Sequence, residues 1–414
     1  MANGYFSFVL HSHLPYVISH GQWPHGMDWL NEAAAETYLP LVETFRKSAG
    51  QVRGRIGVTI GVTPILAEQL ADERFKNSFV EYLGIKIDAA EENRRQFDSV
   101  GDEHKAKLAT MWRDFYRHQK ELFIDELGGD IIGALRKLQD DGVIEIITCA
   151  ATHGYLPLLS RDECVRAQLK LGASTHRKHF GADPQGTWLP ECAYRPSYEW
   201  VSPLADEGYG PTKPVQRKGV EQLVSEAGIK YFLIDSHLLK GGKPIGVYMD
   251  RLEALQTLWQ QFEKNYEPRA ENEEFSPYLP HLVGDASHQD PVAFFTRDPD
   301  SGLQVWSGEH GYPGNGMFLD FHKKHFPGGH QYWRVTSPDA DLADKMEYEP
   351  TRVDEILESQ STHFVELLAD ILDGHKTGTG GDGMITAPYD TELFGHWWFE
   401  GPKWLEKVLS KLGG

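Results

Sequence analysis

Tyr5-Phe6-Ser7-Phe8-Val9-Leu10-His11-Ser12-His13 opens the chain with a short apolar run that stops at two histidines. The same pattern returns along the sequence. Ile56–Val62 ends at Thr63-Pro64, Val143–Cys149 leads to Thr152-His153, and Gly186–Leu189 leads to Glu191. Tyr231–Ile234 ends at Asp235, Val292–Phe295 at Arg297-Asp298, and Met384–Ala387 leads to Asp390. Runs this short and this apolar read as strands buried on both faces. Helical patterns lie between them, among them Leu39–Ser48, Ile131–Asp140, Ser160–Gly172 and Gly219–Ala227. Alternation of this kind implies parallel strands covered by helices. Titratable residues at the carboxyl ends of such strands mark the working rim of a closed barrel. The seven runs predict an α/β fold for residues 1–414, a barrel of parallel strands that is either closed or incomplete.

Two segments break the repeat. Residues 72–129 are charged and helical in pattern, with Trp112, Phe115 and Tyr116 interspersed, and are predicted as an inserted helical subdomain. Residues 249–288, rich in Glu, Pro and Asn, are predicted as a long loop near the rim. Loops of that length in compact domains are usually lids or binding loops.

The 61 acidic residues outnumber the 41 basic ones and set a formal charge of -20. Such a surface repels nucleic-acid phosphates and anionic membranes, so neither is an expected partner. A neutral or cationic substrate fits better. Cys149, Cys164 and Cys192 lack metal-site spacing, and an odd count argues against a disulfide framework. No apolar stretch is long enough to span a bilayer. A reducing, cytoplasmic setting is the expectation, with no cofactor and no metal.

Three constellations carry chemistry. In Trp188-Leu189-Pro190-Glu191-Cys192-Ala193-Tyr194 a carboxylate leaves a strand end among aromatic rings. Such rings offer apolar faces to sugar C–H groups, and their N–H and O–H groups can meet hydroxyls. Glu191 could equally cap a helix or pair with Arg195. In Tyr389-Asp390-Thr391-Glu392-Leu393-Phe394-Gly395-His396-Trp397-Trp398, two carboxylates, a histidine and two tryptophans fall within ten residues. Core packing explains one Trp more easily than the whole group. If this segment is extended, Glu392 faces the same side as Asp390 and competes with it as an acid. In His11-Ser12-His13 the imidazoles are two apart, so on an extended segment both face one pocket. They could hold metal, bond sugar hydroxyls or be core histidines. His153 and His237 would join them at the rim.

These segments, with Ala151-Thr152-His153-Gly154-Tyr155-Leu156-Pro157, Tyr231 through His237 and Gly311-Tyr312-Pro313-Gly314, resemble glycoside hydrolase family 57. The likeness runs nearly end to end and is nearest to the 1,4-α-glucan branching members. It implies a retaining enzyme on an incomplete (β/α)7 barrel, acting on α-glucan. It also implies Glu191 as nucleophile and Asp390 as general acid/base. It makes His11, His13, Trp29, His153, Trp188, Asp235, His237, His396 and Trp397 candidate sugar contacts, and Tyr248 the candidate for a tyrosine on a mobile loop over the site. Family branching members carry a helical C-terminal domain after the last motif, which is not found between Asp390 and Gly414; on that basis some hydrolysis of amylose is expected beside transfer.

Rival readings stay open. An α-amylase or 4-α-glucanotransferase of the same family would use the same carboxylates. A metal-dependent, deacetylase-like hydrolase could use the strand-end histidines as zinc ligands. A non-catalytic glycan-binding protein would keep the pocket without turnover.

Overall fold

All seven apolar runs form strands, and all seven run parallel in one sheet. The computed structural model describes residues 4–51, 56–240, 275–283, 291–306, 311–337 and 339–413. In chain order the strands are β1 (Gly4–Ser12), β2 (Val58–Val62), β3 (Glu145–Cys149), β4 (Gly186–Trp188), β5 (Tyr198–Trp200), β6 (Val215–Arg217), β7 (Tyr231–Ile234), β8 (His281–Val283), β9 (Val292–Thr296) and β10 (Gly383–Asp390). The main sheet is ordered β10-β1-β2-β3-β4-β7-β9-β8, with β8 antiparallel to β9. β5 and β6 form a separate hairpin.

The curled sheet nearly closes. Arg297, just past β9, makes a parallel bridge to Thr386 of β10, and Asp298 N donates to Thr386 O at 3.1 Å. Tyr278 O, upstream of β8, accepts from Met384 N at 2.8 Å. An incomplete barrel of seven parallel strands results. Pro388 sits inside β10 without disrupting it, because its polar groups face this seam, where its carbonyl accepts from Arg297 Nη1 at 2.8 Å. A proline on the β1 side would have removed a ladder bond.

Helices cover the barrel: α1 (Met27–Ala33), α2 (Leu39–Gln51), α3 (Pro64–Ala71), α4 (Glu73–Ser99), α5 (Glu103–Glu121), α6 (Ile131–Asp140), α7 (Asp162–Phe180), α8 (Val220–Glu226), α9 (Ser236–Lys240), α10 (Pro299–Trp306), α11 (Val353–Thr379) and α12 (Gly401–Gly413). Between residues 72 and 129, α4 and α5 pack against each other over most of their length. Their starts are capped by Asp72, which accepts from Arg74 N, and Asp102, which accepts from Lys105 N. Each cap satisfies an otherwise orphan N–H. None of the described helices is long and apolar enough to cross a membrane. Of the segment 249–288, only 275–283 lies within the described residues, and it holds β8; Tyr248 lies outside them.

One helix outruns its expected end. The pattern stops at Gly172, whereas α7 continues to Phe180 and ends at Gly181 in the left-handed conformation. Gly172 is a packing notch rather than a terminator: a Cβ there would lie 2.2 Å from the carbonyl oxygen of Cys149. The helix lies that close to β3.

Between α1 and α2 the backbone widens into a π-helical segment, Ala34–Tyr38, all five of whose residues are buried. Such segments are rare and concentrate at functional sites. Here it meets the loop after β10. Gly395, at φ +117°, packs so tightly that a Cβ would fall 1.8 Å from Glu36 O. Gly395→Ala is therefore expected to cost about 3 kcal/mol of stability, from overpacking and a left-handed backbone together. The measurement is the urea midpoint; an unchanged midpoint would mean that the loop shifts freely.

Candidate active site

Parallel pairing of β1 with β10 sets His11 level with Asp390. Pairing of β3 with β4 sets Cys149 level with Trp188. The site grows from these two registers. His11 stacks on Trp188, with ring centroids 4.5 Å apart and 7° between planes. His153, on the turn after β3, donates or accepts across to His11, Nε2 to Nε2 at 3.0 Å, and stacks on His13 at 3.8 Å. Three imidazoles in contact cannot all be charged. Burial, then the neighbouring His153 and His13, holds His11 well below its ordinary range. Burial and His153 lower His13 to about 3, and burial lowers His153. The cluster is neutral at pH 7.

Glu191 follows Trp188 on a tight turn and carries a left-handed backbone, φ 59° and ψ 25°. Cys192 (φ 51°) and His153 (φ 56°) share that conformation. Left-handed backbone is uncommon for residues other than glycine. The turn lifts the Glu191 side chain into solvent at the rim while Cys192 points inward and is buried. The Cys192 thiol reports what surrounds it. Burial pushes it up to about 12, with Arg297 pulling down and Asp235, Asp390 and Glu191 pushing up. Side chains from the ends of β4, β7, β9 and β10 thus converge on one place.

Asp390 is the electrostatic centre. Its tip reaches solvent, yet protein surrounds most of it. Burial, then the charge of Glu191, raises it to about 6, with Arg297 opposing. A carboxyl crowded by protein and beside another carboxylate keeps its proton closer to neutrality.

Glu392 does not share that position. β10 ends at Asp390, and Thr391–Leu393 forms a 3-10 turn instead of continuing extended. The turn buries Glu392, whose Oε1 accepts from Tyr38 Oη and, at 3.2 Å, from His13 N. Burial raises it to about 8. It is a buried structural acid.

The other sequence-predicted contacts have different partners. Asp235 lies 4.0 Å from His237 Nδ1 and 3.8 Å from Arg297 Nε. His396 is buried, with Nδ1 3.0 Å from Glu36 Oε2, and its backbone N–H donates to Thr37 Oγ1. Burial works to raise Glu36, but the His396 bond and the Lys86 and Lys324 ammoniums outweigh it and keep it low. Trp397 is 55% exposed and lies flat on Phe321, 5.0 Å away at 13°. Trp29 is half-buried against the core, edge-on to His25. Glu36 and Tyr38 are additions that strand-end reading does not yield; Arg297 stands at a strand end of that reading but is not among its candidate contacts. Arg297 had a signal, as a charged residue just beyond an apolar run; the two π-segment residues had none.

His11, Cys149 and His153 offer three possible metal-ligand atoms within 4.8 Å of one another. Burial pushes the Cys149 thiol far up. The two Nε2 atoms already bond each other.

With this geometry described, comparisons with known proteins add the following. A profile for Glycosyl hydrolase family 57 matches residues 7–298. A 1,4-alpha-glucan branching enzyme of Thermococcus kodakarensis is 43% identical over 409 residues, 99% of this chain and 55% of its own length. Its crystal structure, in complex with glucose, superposes with a TM-score of 0.83 at 41% identity, covering 99% of this chain and 68% of that one. The α-amylase AmyC of Thermotoga maritima gives a TM-score of 0.77 at 26% identity, covering 99% and 71%. The chain thus spans about half the length of the curated Thermococcus relative.

Titration of Glu392 is expected to show in stability. The folded state holds its proton up to about pH 8, whereas the unfolded chain releases it near pH ~4.3. Folding takes up a proton between those values, so this contribution is full below the window and is lost as pH rises through it. Tm against pH is expected to decline over that window in the wild type and to flatten in Glu392→Gln, which keeps an oxygen for Tyr38. An identical decline in both proteins would locate the effect elsewhere.

Proposed function

The chain belongs to glycosyl hydrolase family 57, and from that premise we propose that it is a retaining α-glucan transglycosidase of the 1,4-α-glucan branching type. The observation carrying this reading is the Asp390 carboxyl, raised to about 6 by burial and then by the charge of Glu191. A carboxyl kept protonated beside a second carboxyl lets one site supply both an acid and a nucleophile.

In this reading Glu191 attacks the anomeric carbon while protonated Asp390 donates to the departing glycosidic oxygen. The ester that forms removes the Glu191 charge. Asp390 then loses the part of its rise that came from that charge and becomes the better base. It takes a proton from the incoming 6-hydroxyl of a second glucan segment, and Glu191 leaves as carboxylate. Neutral His11, His13 and His153 would meet sugar hydroxyls as donors and acceptors, and Trp188 holds His11 in plane. Asp235 and His237 would serve the same sugar from the β7 side, and His396 and Trp397 from the loop after β10. Three free thiols suit a reducing cytoplasm.

Incubation with amylose, then debranching and chain-length analysis beside a reducing-sugar assay, tests the reading. New α-1,6 linkages are expected. Shortened chains alone would mean an amylase, and redistributed linear chains a 4-α-glucanotransferase. Glu191→Gln and Asp390→Asn are each expected to lower turnover by roughly a thousandfold, within the range general acid–base and nucleophilic catalysis supplies. Wild-type kcat is expected to fall as pH rises through about 6, where Asp390 loses its proton. A flat profile across that range would remove Asp390 from the acid role.

A further inference from the structure

Glu36 is a buried carboxylate that the two-carboxyl mechanism does not use. It is 6% exposed and lies in the π-helical segment Ala34–Tyr38. Burying a carboxylate is costly unless it is paired, so its partners carry information. Tyr116 Oη donates to its Oε1 at 2.9 Å, and His396 Nδ1 lies 3.0 Å from its Oε2. Burial opposes its charge, but the His396 bond and the ammoniums of Lys86 and Lys324 hold it low. An ionised carboxylate only accepts hydrogen bonds. Nδ1 of His396 must therefore carry the proton.

The rest of the ring is held as well. His396 N donates to Thr37 Oγ1, and Phe321 stands edge-on to the imidazole, 5.1 Å away at 79°. Nδ1 and Nε2 lie on opposite flanks of an imidazole, so Nε2 is turned away from Glu36. It has no hydrogen-bond partner among the described residues. The side chain keeps 5% of its surface open, next in sequence to the exposed Trp397. In the neutral ring, Nε2 then holds the lone pair.

The other rim histidines differ. His11 and His153 face each other, and His13 Nδ1 meets the Thr63 hydroxyl at 3.2 Å; each of these partners can donate or accept. Asp235 stays 4.0 Å from His237 Nδ1, beyond a hydrogen bond. Among these histidines only His396 has a carboxylate dictating which nitrogen is protonated.

We propose that Glu36 is a positioning residue, which pins the His396 proton on Nδ1 and so presents Nε2 to a glucan hydroxyl as a fixed acceptor. That the hydroxyl belongs to an α-glucan rests on the proposed function; the place of the proton does not. Imidazole 15N spectra test it, with the His396 signals identified by their absence in His396→Gln. The wild type is expected to show Nδ1 protonated and Nε2 unprotonated. The amide of Glu36→Gln can face Nδ1 with either its oxygen or its nitrogen, so a mixture of tautomers is expected there. A wild-type Nε2 that carries the proton overturns the proposal, and that result needs no folded variant. On amylose, Glu36→Gln is expected to raise KM about tenfold, near the worth of one hydrogen bond, with kcat kept. A merely loosened loop would instead lower kcat through Asp390. His396→Gln is expected to raise KM alike, and the double variant no further than either one. Additive losses, or a loss confined to kcat, overturn the role of Glu36. If the wild type leaves amylose untouched, the function falls, and the spectra alone decide whether Glu36 sets the proton.

Discussion

The ladder between β1 and β10 is the constraint on which the rest of the molecule hangs. It joins the first and last strands in eight consecutive pairs, from Gly4 with Gly383 to His11 with Asp390. A slip of one residue would turn every side chain on a strand to its other face. The observed register lets Ser12 Oγ bond Thr391 Oγ1 at 2.8 Å and lets His13 N bond Glu392. The π-helical segment then clasps the loop after β10 through three neighbouring residues, Glu36 to His396, Thr37 to His396 N and Tyr38 to Glu392. Sequence separations above 350 residues collapse into one polar knot at the rim.

That knot keeps positive charge away from the carboxyls. The imidazoles nearest them are neutral through burial and mutual repulsion. Arg297 is the nearby cation, and the seam carbonyl of Pro388 engages it. The balance leaves Asp390 raised rather than depressed. A permanent cation stacked on Asp390 would have produced a structural ion pair instead. Glu392, further inside, shows burial without such moderation.

The strand framework is legible in the sequence because parallel strands covered on both faces are apolar throughout, and their ends are abrupt. Hence all seven runs are visible, as is the grouping of His11, His13 and His153 at the rim; the stacking of Trp188 on His11 is not. Three other things are not. The continuation of α7 past Gly172 depends on how close Cys149 lies, which no local pattern encodes. Glu392 points inward because a 3-10 turn replaces the extended geometry that sequence spacing assumes. Glu36 and Tyr38 lie in a helical stretch whose π-widening is a tertiary effect, and Ala-Ala-Glu-Thr-Tyr carries no mark of it.

The left-handed backbone at His153, Glu191 and Cys192 has an evolutionary corollary. Each such residue costs on the order of 1–2 kcal/mol relative to glycine in the same conformation. Selection for robustness alone would let these three positions drift towards glycine or asparagine. Directed evolution for heat tolerance, run without a catalytic screen, should therefore erode the rim first and return a sturdier but inert barrel.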